Sequence, residues 1–414
     1  MSDSTKESVM AHINIFPAVE SHYVRKDIKR LYLSEHLNIS KMYRLYELWF
    51  PNQHYSAEHK ATKRHYEYIF NTEFNYSFFK PKKDLCGTCS QFYQANEITK
   101  VSLEAKYREH LMRKNKVRQL KEQEKAAVDE RTTTIAIFDL EKVLSIPQSE
   151  VGIFHYKRKY PVYNFTVYDS LRKFGNCYVW HLSIAKRGSI EIGSCLLKFI
   201  EQEGLKGIKN VSFYSDGCAG QNKNRYIFAL YLYAIRAYDL ENITHRFFET
   251  GHGQNEGDSM HSCIERAMKN KVLYTPDQVY SIIMNAKVTG NKYKVHEMKQ
   301  RDFYNIKNLI SGKHWLRDTH GNKIKWAKIM EVKVSRFKPT ILQFKYNFEE
   351  EYLELDTELQ ITRPRRGRKA TASIAAEAES INLHLRQAYD QQIPISKALH
   401  ADLLSLCTSD DIFL

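Results

Sequence analysis

The chain has 414 residues and carries 63 Lys and Arg against 48 Asp and Glu, a formal net charge of +15. That length suggests two or three domains, the 43% hydrophobic content is enough for packed interiors, and no apolar run approaches a membrane span. The positive excess points to a polyanionic partner, nucleic acid first and an acidic membrane surface second, while seven scattered cysteines argue against a disulfide framework.

The opening MSDSTKESVM lacks an apolar signal segment, so an intracellular protein is expected. Residues 1–20 read as a flexible tail. Residues 21–79 read as a helical region, with Ile28, Leu31 and Tyr32, then Ile39, Met42, Tyr43, Leu45, Tyr46 and Trp49, at helix spacing. A turn at Leu37–Ser40 is expected to separate two helices, with Ser40 as N-cap of the second, and the segment to Phe70 supplies a third. Three short helices with basic outer faces suit a helix-turn-helix reader of DNA; an ordinary helical subdomain fits the same pattern.

Residues 80–130 open on Lys80-Pro81-Lys82-Lys83-Asp84-Leu85-Cys86-Gly87-Thr88-Cys89. Two thiolates at CxxC spacing after a turn reach one tetrahedral ion, so Cys86 and Cys89 form a zinc half-site. His110, 21 residues on, is the best third ligand, and His59 or His65 is a candidate fourth. Reduced structural thiols or a redox pair are the alternatives, although a thioredoxin-like βαβ pattern is absent. Residues 100–130 then read as a polar helix with eight Lys and Arg between Lys106 and Lys125, a solvated spacer or a track along phosphates.

Residues 131–290 change to strand periodicity. The pattern predicts strands over 132–138, 162–168 and 176–184, the second and third joined through a turn at Phe174-Gly175. It continues with a helix over 189–203, a strand over 211–214, a helix over 224–238, a strand over 244–250, and a helix opening at Asp258. Strand, strand, strand, helix, strand, helix, strand, helix is the ribonuclease H-like arrangement, an α/β mixed sheet with flanking helices on both faces. Three aspartates fall at element ends. Asp139 follows an apolar strand, Asp216 follows Val211–Tyr214 and enters a loop rich in Gly and Asn, and Asp258 opens a helix. Convergent carboxylates of this kind hold hard divalent cations, so Asp139, Asp216 and Asp258 are the catalytic candidates for phosphodiester chemistry with two Mg²⁺ or Mn²⁺ ions. The competing reading makes each a turn or capping aspartate, Asp258 above all. Glu265 is the reserve third acid, Glu141 and Glu256 are reserves at the other positions, and His252 and His261 are candidates for orienting water or phosphate. Gln221, Asn222, Lys223 and Asn224 are expected either to contact the DNA backbone or to organise the loop. Cys218 and Cys263 read as core thiols.

These residues carry a resemblance. SDGCAGQNKN resembles the turn after the fourth strand of retroviral integrases and DDE transposases, and GDSMHSCIERAMK is similar to the helix carrying their third acid, which places Asp258 at that position. With FDLEKVL, YNFTVYD, RGSIEIGSCL and GHGQNEGDSMHSCIE, the chain from Lys80 to Ala286 looks like an animal family of transposon-derived proteins, many known only as a domain of unknown function. The resemblance implies a DDE-type, metal-dependent DNA transposase or integrase-like nuclease, or a domesticated descendant, acting on duplex DNA in the nucleus. A homo-oligomer is expected. The alternatives are a transposase-derived DNA-binding regulator without catalysis, and a zinc module joined to an RNA-directed nuclease.

Residues 291–360 hold 13 Lys and Arg against 4 Asp and Glu over 291–340, then an acidic run over 348–358. Alternation over 326–337 and 341–346 predicts a small basic and aromatic β module, a DNA surface or a solvated one. Residues 361–414 open with an AT-hook-like run in which Arg365, Arg366 and Arg368 would enter the minor groove or serve nuclear import, and close with a helix over 395–406.

Overall fold

The structure, a computed structural model, describes residues 2–16, 19–20, 31–33, 37–78, 86–149, 157–253, 255–310, 315–361, 372–374 and 385–407. It divides into two units, Met1–Leu85 and Cys86–Leu414. Among the described residues, no helix is long and apolar enough to cross a membrane.

The first unit packs three helices, α1 (Asp3–Asn14), α2 (Ile39–Trp49) and α3 (Lys63–Glu73), beside three short strands, β1 (Val19–Glu20), β2 (Leu31–Leu33) and β3 (Tyr76–Phe78). The expected flexible tail is therefore helical over most of its length. Ser2 caps α1, and Val9 and Ile13, one turn apart, are buried with Met42, Tyr46, Tyr66 and Ile69. Leu31–Leu33 is a strand, not the helix expected there, and pairs with β1 and β3. The cap of α2 is Asn38, whose side chain accepts from Lys41 N at 2.9 Å, rather than Ser40. Asn at this position satisfies an orphan N–H as well as Ser does.

The second unit begins with α4 (Gly87–Gln94) and the 31-residue α5 (Glu97–Ala127). Then follow β4 (Thr133–Leu140), β5 (Leu144–Ile146), β6 (Tyr160–Asp169), β7 (Phe174–His181), α6 (Ser189–Leu205), β8 (Asn210–Ser215), α7 (Arg225–Ala237), β9 (Asn242–Phe247), α8 (Glu256–Met268) and α9 (Pro276–Asn285). After these come β10 (Lys294–Glu297), β11 (Glu331–Ser335), β12 (Lys338–Lys345), β13 (Leu353–Asp356), β14 (Leu359–Ile361), β15 (Ala372–Ile374) and α10 (Lys397–Cys407). The turn between β6 and β7 is Ser170–Lys173, with Lys173 at φ 52°, whereas Phe174 and Gly175 already belong to the strand.

Ten strands form one mixed sheet in the order β10-β7-β6-β4-β8-β9-β11-β12-β13, with β5 alongside β6. β4, β8 and β9 are mutually parallel, and β6 runs antiparallel to both its neighbours β4 and β7. The chain after residue 290 does not stand apart as a module of its own. β10 pairs with β7 at one side, and β11 pairs with β9 at the other, continuing through β12 and β13. An unpaired strand edge is a row of unmet hydrogen bonds, and these additions satisfy it.

Period-2 alternation sorts the core into layers. Ala136, Phe138, Phe165 and Phe213 face one way, onto Leu196, Ile200, Phe228 and Leu230 of α6 and α7. Ile135, Ile137 and Tyr214 face the other way, onto Val117 of α5, while Cys177 and Val179 on that side meet Met260, Ile264 and Ile283 of α8 and α9.

Candidate functional site

Parity fixes the first two acids. Asp139 shares the face of Ile135 and Ile137, and Asp216 shares that of Tyr214, so both project to the α5/α8 side. In the parallel register Ile137 stands opposite Tyr214. Two residues further along each chain come Asp139, near the carboxyl end of β4, and Asp216, the first residue after β8. Two glycines lie against them: a Cβ at Gly257 would lie 3.6 Å from Asp139 Cβ, and one at Gly253 would lie 3.7 Å from Asp216 Cβ. Gly257 leads directly into Asp258 in α8.

The electrostatics agree with this placement. Burial, the Asp216 carboxylate and the Asp258 carboxylate together push the Asp139 carboxyl up to about 7, although Leu140 N donates to it at 2.8 Å and works the other way. Asp216 is held by its own loop. Asn222, fully buried, donates its side-chain N–H to Asp216 Oδ1, and the other amide atom, Asn222 Oδ1, is buried with no hydrogen-bond partner. Asp258 has the capping role weighed for it and also lies within electrostatic reach of Asp139. Its Oδ2 accepts from Asn255 N at 2.8 Å in a capping box that starts α8, and its charge reaches Asp139.

The reserve residues separate by partner. Glu265 pairs with Lys142 at 2.9 Å, and both line a cleft of about 820 Å³ beside Asp258, together with Arg266 and Lys269. His261 Nε2 meets Thr166 Oγ1 at 2.8 Å, and burial pushes this imidazole down to about 4, so at neutral pH it is uncharged. Glu256 pairs with Lys121 at 2.9 Å. Glu141 is buried on Asn164, which donates at 2.8 Å, and burial raises its carboxyl to about 8.

The loop residues organise the loop. Asn224 caps α7 by accepting from Tyr226 N and Ile227 N. Lys223, expected at a DNA surface, is only 6% exposed: its ammonium donates to Ala327 O at 3.2 Å and sits 4.7 Å from the Phe247 ring. Its long apolar stem favours this buried course along the strand ends. Arg365, Arg366 and Arg368 lie outside the described residues.

A second group is built from sulfur and nitrogen. Cys86 caps α4, Cys89 lies in the first turn of that helix, and His110 sits on the inner face of α5. The fourth member is His252, between β9 and α8, so it stands here rather than as a reserve group of the acids, and neither His59 nor His65 fills the place. Cys86 Sγ is 3.2 Å from His110 Nε2 and 3.5 Å from His252 Nε2; Cys89 Sγ is 3.5 and 3.3 Å from the same atoms, and the two nitrogens are 2.9 Å apart. All four are buried, and their ligand atoms lie within 4.8 Å of one another, the single such group among the described residues. The group can hold a metal ion: ligands at roughly 2.0–2.3 Å in a tetrahedron stand roughly 3.3–3.8 Å apart. Glu249 Oε1 lies 3.0 Å from His110 Nδ1, which turns Nε2 toward the sulfurs, and Arg113 Nε donates to the other Glu249 oxygen at 2.9 Å. Burial raises the Cys89 thiol to about 11, assisted by Cys86 beside it.

Two roles escaped sequence reasoning, that of His252 beside the cysteines, where it was expected beside the acids, and that of Glu249. His252 lies 166 positions from Cys86, with no motif to connect them; the signal within reach was a histidine between two glycines, Gly251-His252-Gly253. Glu249 carried no signal at all. No curated protein matches the sequence. Residues 122–313 match the family model of a domain of unknown function (DUF8701), a span that includes Asp139, Asp216, Asp258 and His252 but not Cys86, Cys89 or His110.

Proposed function

We propose that the protein is a ribonuclease H-like, DDE-type nuclease or strand transferase that acts on duplex DNA with Mg²⁺ or Mn²⁺, a transposase or its domesticated descendant. The observation that carries this reading is a stretch of chain that lies against two acids and leads into the third, with Gly253 against Asp216, Gly257 against Asp139 and Asp258 following in α8; Asp216 and Asp258 both raise the Asp139 carboxyl. The chain order β4, β6, β7, α6, β8, α7, β9, α8 supports the fold assignment. An apolar floor that raises a carboxyl to about 7 is a poor place for three anions alone. Hard oxygen donors at that spot suit Mg²⁺ or Mn²⁺, with Asp139 central and Asp216 and Asp258 on either side. Bound there, divalent cations would activate the attacking oxygen and stabilise the leaving one. Asn222 fixes the direction of Asp216, and Asn255 fixes that of Asp258. His261, neutral on Thr166, supports the floor of the site and does not act as a cationic phosphate clamp.

Zinc is the ion proposed for Cys86, Cys89, His110 and His252. Two thiols and two imidazoles in a closed, buried set, with a carboxylate behind one imidazole, are the donor chemistry of a structural zinc site.

The test is a nicking assay on supercoiled plasmid carrying the DNA that flanks the gene, with Mn²⁺. Wild-type protein should convert it to open circles, and Asp216→Asn should bind the same DNA yet leave it intact. Binding without nicking by the wild type would replace this reading with that of a DNA-binding regulator. Equal nicking by Asp216→Asn would remove the acids from the chemistry.

A further inference from the structure

The two groups of ligands share one stretch of chain. Glu249 supports His110, and His252 is itself a member of the sulfur–imidazole group. Gly251, at φ 74°, passes so close to Cys86 that a Cβ there would lie 2.2 Å from Cys86 Cβ. One residue beyond His252, Gly253 lies against Asp216, then Asn255 caps α8, Gly257 lies against Asp139, and Asp258 follows. α5 grips the same stretch, with Arg118 donating to His252 O at 3.4 Å and Lys121 paired to Glu256. Asp258 is only six positions beyond His252 in the sequence. With both ends held, the segment has little freedom to move at one end without moving the other.

Resting on the two-centre reading above, we propose that His252 and Glu249 are positioning residues for the acidic centre: an ion held by Cys86, Cys89, His110 and His252 fixes the placement of residues 249–253 and of 255–258, and so raises the affinity of Asp139, Asp216 and Asp258 for divalent cations. The coupling is reciprocal, because a ligand that favours one arrangement of the segment favours every other ligand of that arrangement. α5, which supplies His110, Arg118 and Lys121, thereby acts on a centre to which it gives no carboxylate.

The experiment measures Mn²⁺ affinity of the full-length chain by electron paramagnetic resonance, with one equivalent of zinc and after zinc removal by a chelator, with circular dichroism to follow folding. Zinc removal should weaken Mn²⁺ binding by roughly 5- to 150-fold, the range of ordinary coupling between sites. Where the zinc-free chain loses its fold, the wild type answers through the reverse measurement. Saturating Mn²⁺ should tighten zinc binding, read against a zinc-selective chromogenic chelator, by a factor in that same range. Equal Mn²⁺ affinity in folded zinc-loaded and zinc-free protein, or a zinc affinity that Mn²⁺ leaves unmoved, overturns the linkage while the acidic centre stands. No Mn²⁺ binding to either form overturns the acidic centre itself, and the linkage with it.

Discussion

At the scale of single residues, Asn222 and Cys86 offer the sharpest tests. Asn222 was one of four loop residues with two open roles, and its burial against Asp216 shows what it does: it aims a carboxylate. Asn222→Ala removes a hydrogen bond to a charged group, a loss of about 1.5–3 kcal/mol. Mn²⁺ affinity, read by calorimetry, should fall by roughly one to two powers of ten, with DNA binding in gel shifts unchanged. For Cys86, the expected outcome of Cys86→Ser is loss of bound zinc from one per chain to a small fraction, measured by elemental analysis of the purified protein. Unchanged zinc content would detach the sulfur–imidazole group from metal. The positions of Asp139 and Asp216 at strand ends were legible in sequence because an apolar run ending in Asp is a local signal. His252 and Lys223 were not legible, because their roles depend on Cys86 and Ala327, residues distant in the chain that only the fold brings near.

At the scale of elements, most strands and helices of 131–290 were legible because each carries its own period, 2 or 3.6, over enough residues to show, whereas the three-residue β5 and the ten-residue α9 were not read. Their ends were less so: the β6–β7 turn moved back to Ser170–Lys173, where Lys173 accepts a positive φ that glycine would have advertised. α1 escaped because only Val9 and Ile13 mark its buried face within a polar sequence. A buried histidine on that helix makes the first unit sensitive to acid. His12 Nδ1 meets Tyr66 OH at 2.8 Å among the rings of Phe16, Tyr46 and Trp49, and burial pushes the imidazole from 6.5 down to about 4. The folded state thus refuses a proton that the unfolded chain accepts below 6.5. Stability from this group is present above pH 6.5 and is lost as pH falls toward about 4. Hydrogen exchange in peptides from α2 and α3, corrected for intrinsic rates, should speed up across that window, and His12→Gln should flatten the response. An identical acid response in the variant would assign it to other groups.

At the scale of the whole molecule, the proposed function would divide holding DNA from cutting it, between the net charge of +15 and the acidic residues. Affinity should come from Lys and Arg spread along the chain, so neutralising Arg365, Arg366 and Arg368 should weaken duplex binding and lower its salt dependence by roughly 0.9 log–log units per lost phosphate contact. Gel shifts across a salt series measure this, and an unchanged slope would move the contacts elsewhere. The separate basic β module expected after residue 290 could not be told apart from sheet extension by sequence, because an edge strand and a free-standing strand share the same alternation. What remains central is the claim that Asp139, Asp216 and Asp258 are cation ligands. Its most direct test is anomalous diffraction from crystals of the protein soaked in Mn²⁺. The account predicts manganese peaks between Asp139 and its two partners, a pair roughly 3.5–4 Å apart when both ions are bound, and their loss in Asp139→Asn crystals. Saturating Mn²⁺ with no peak at these carboxylates would contradict it.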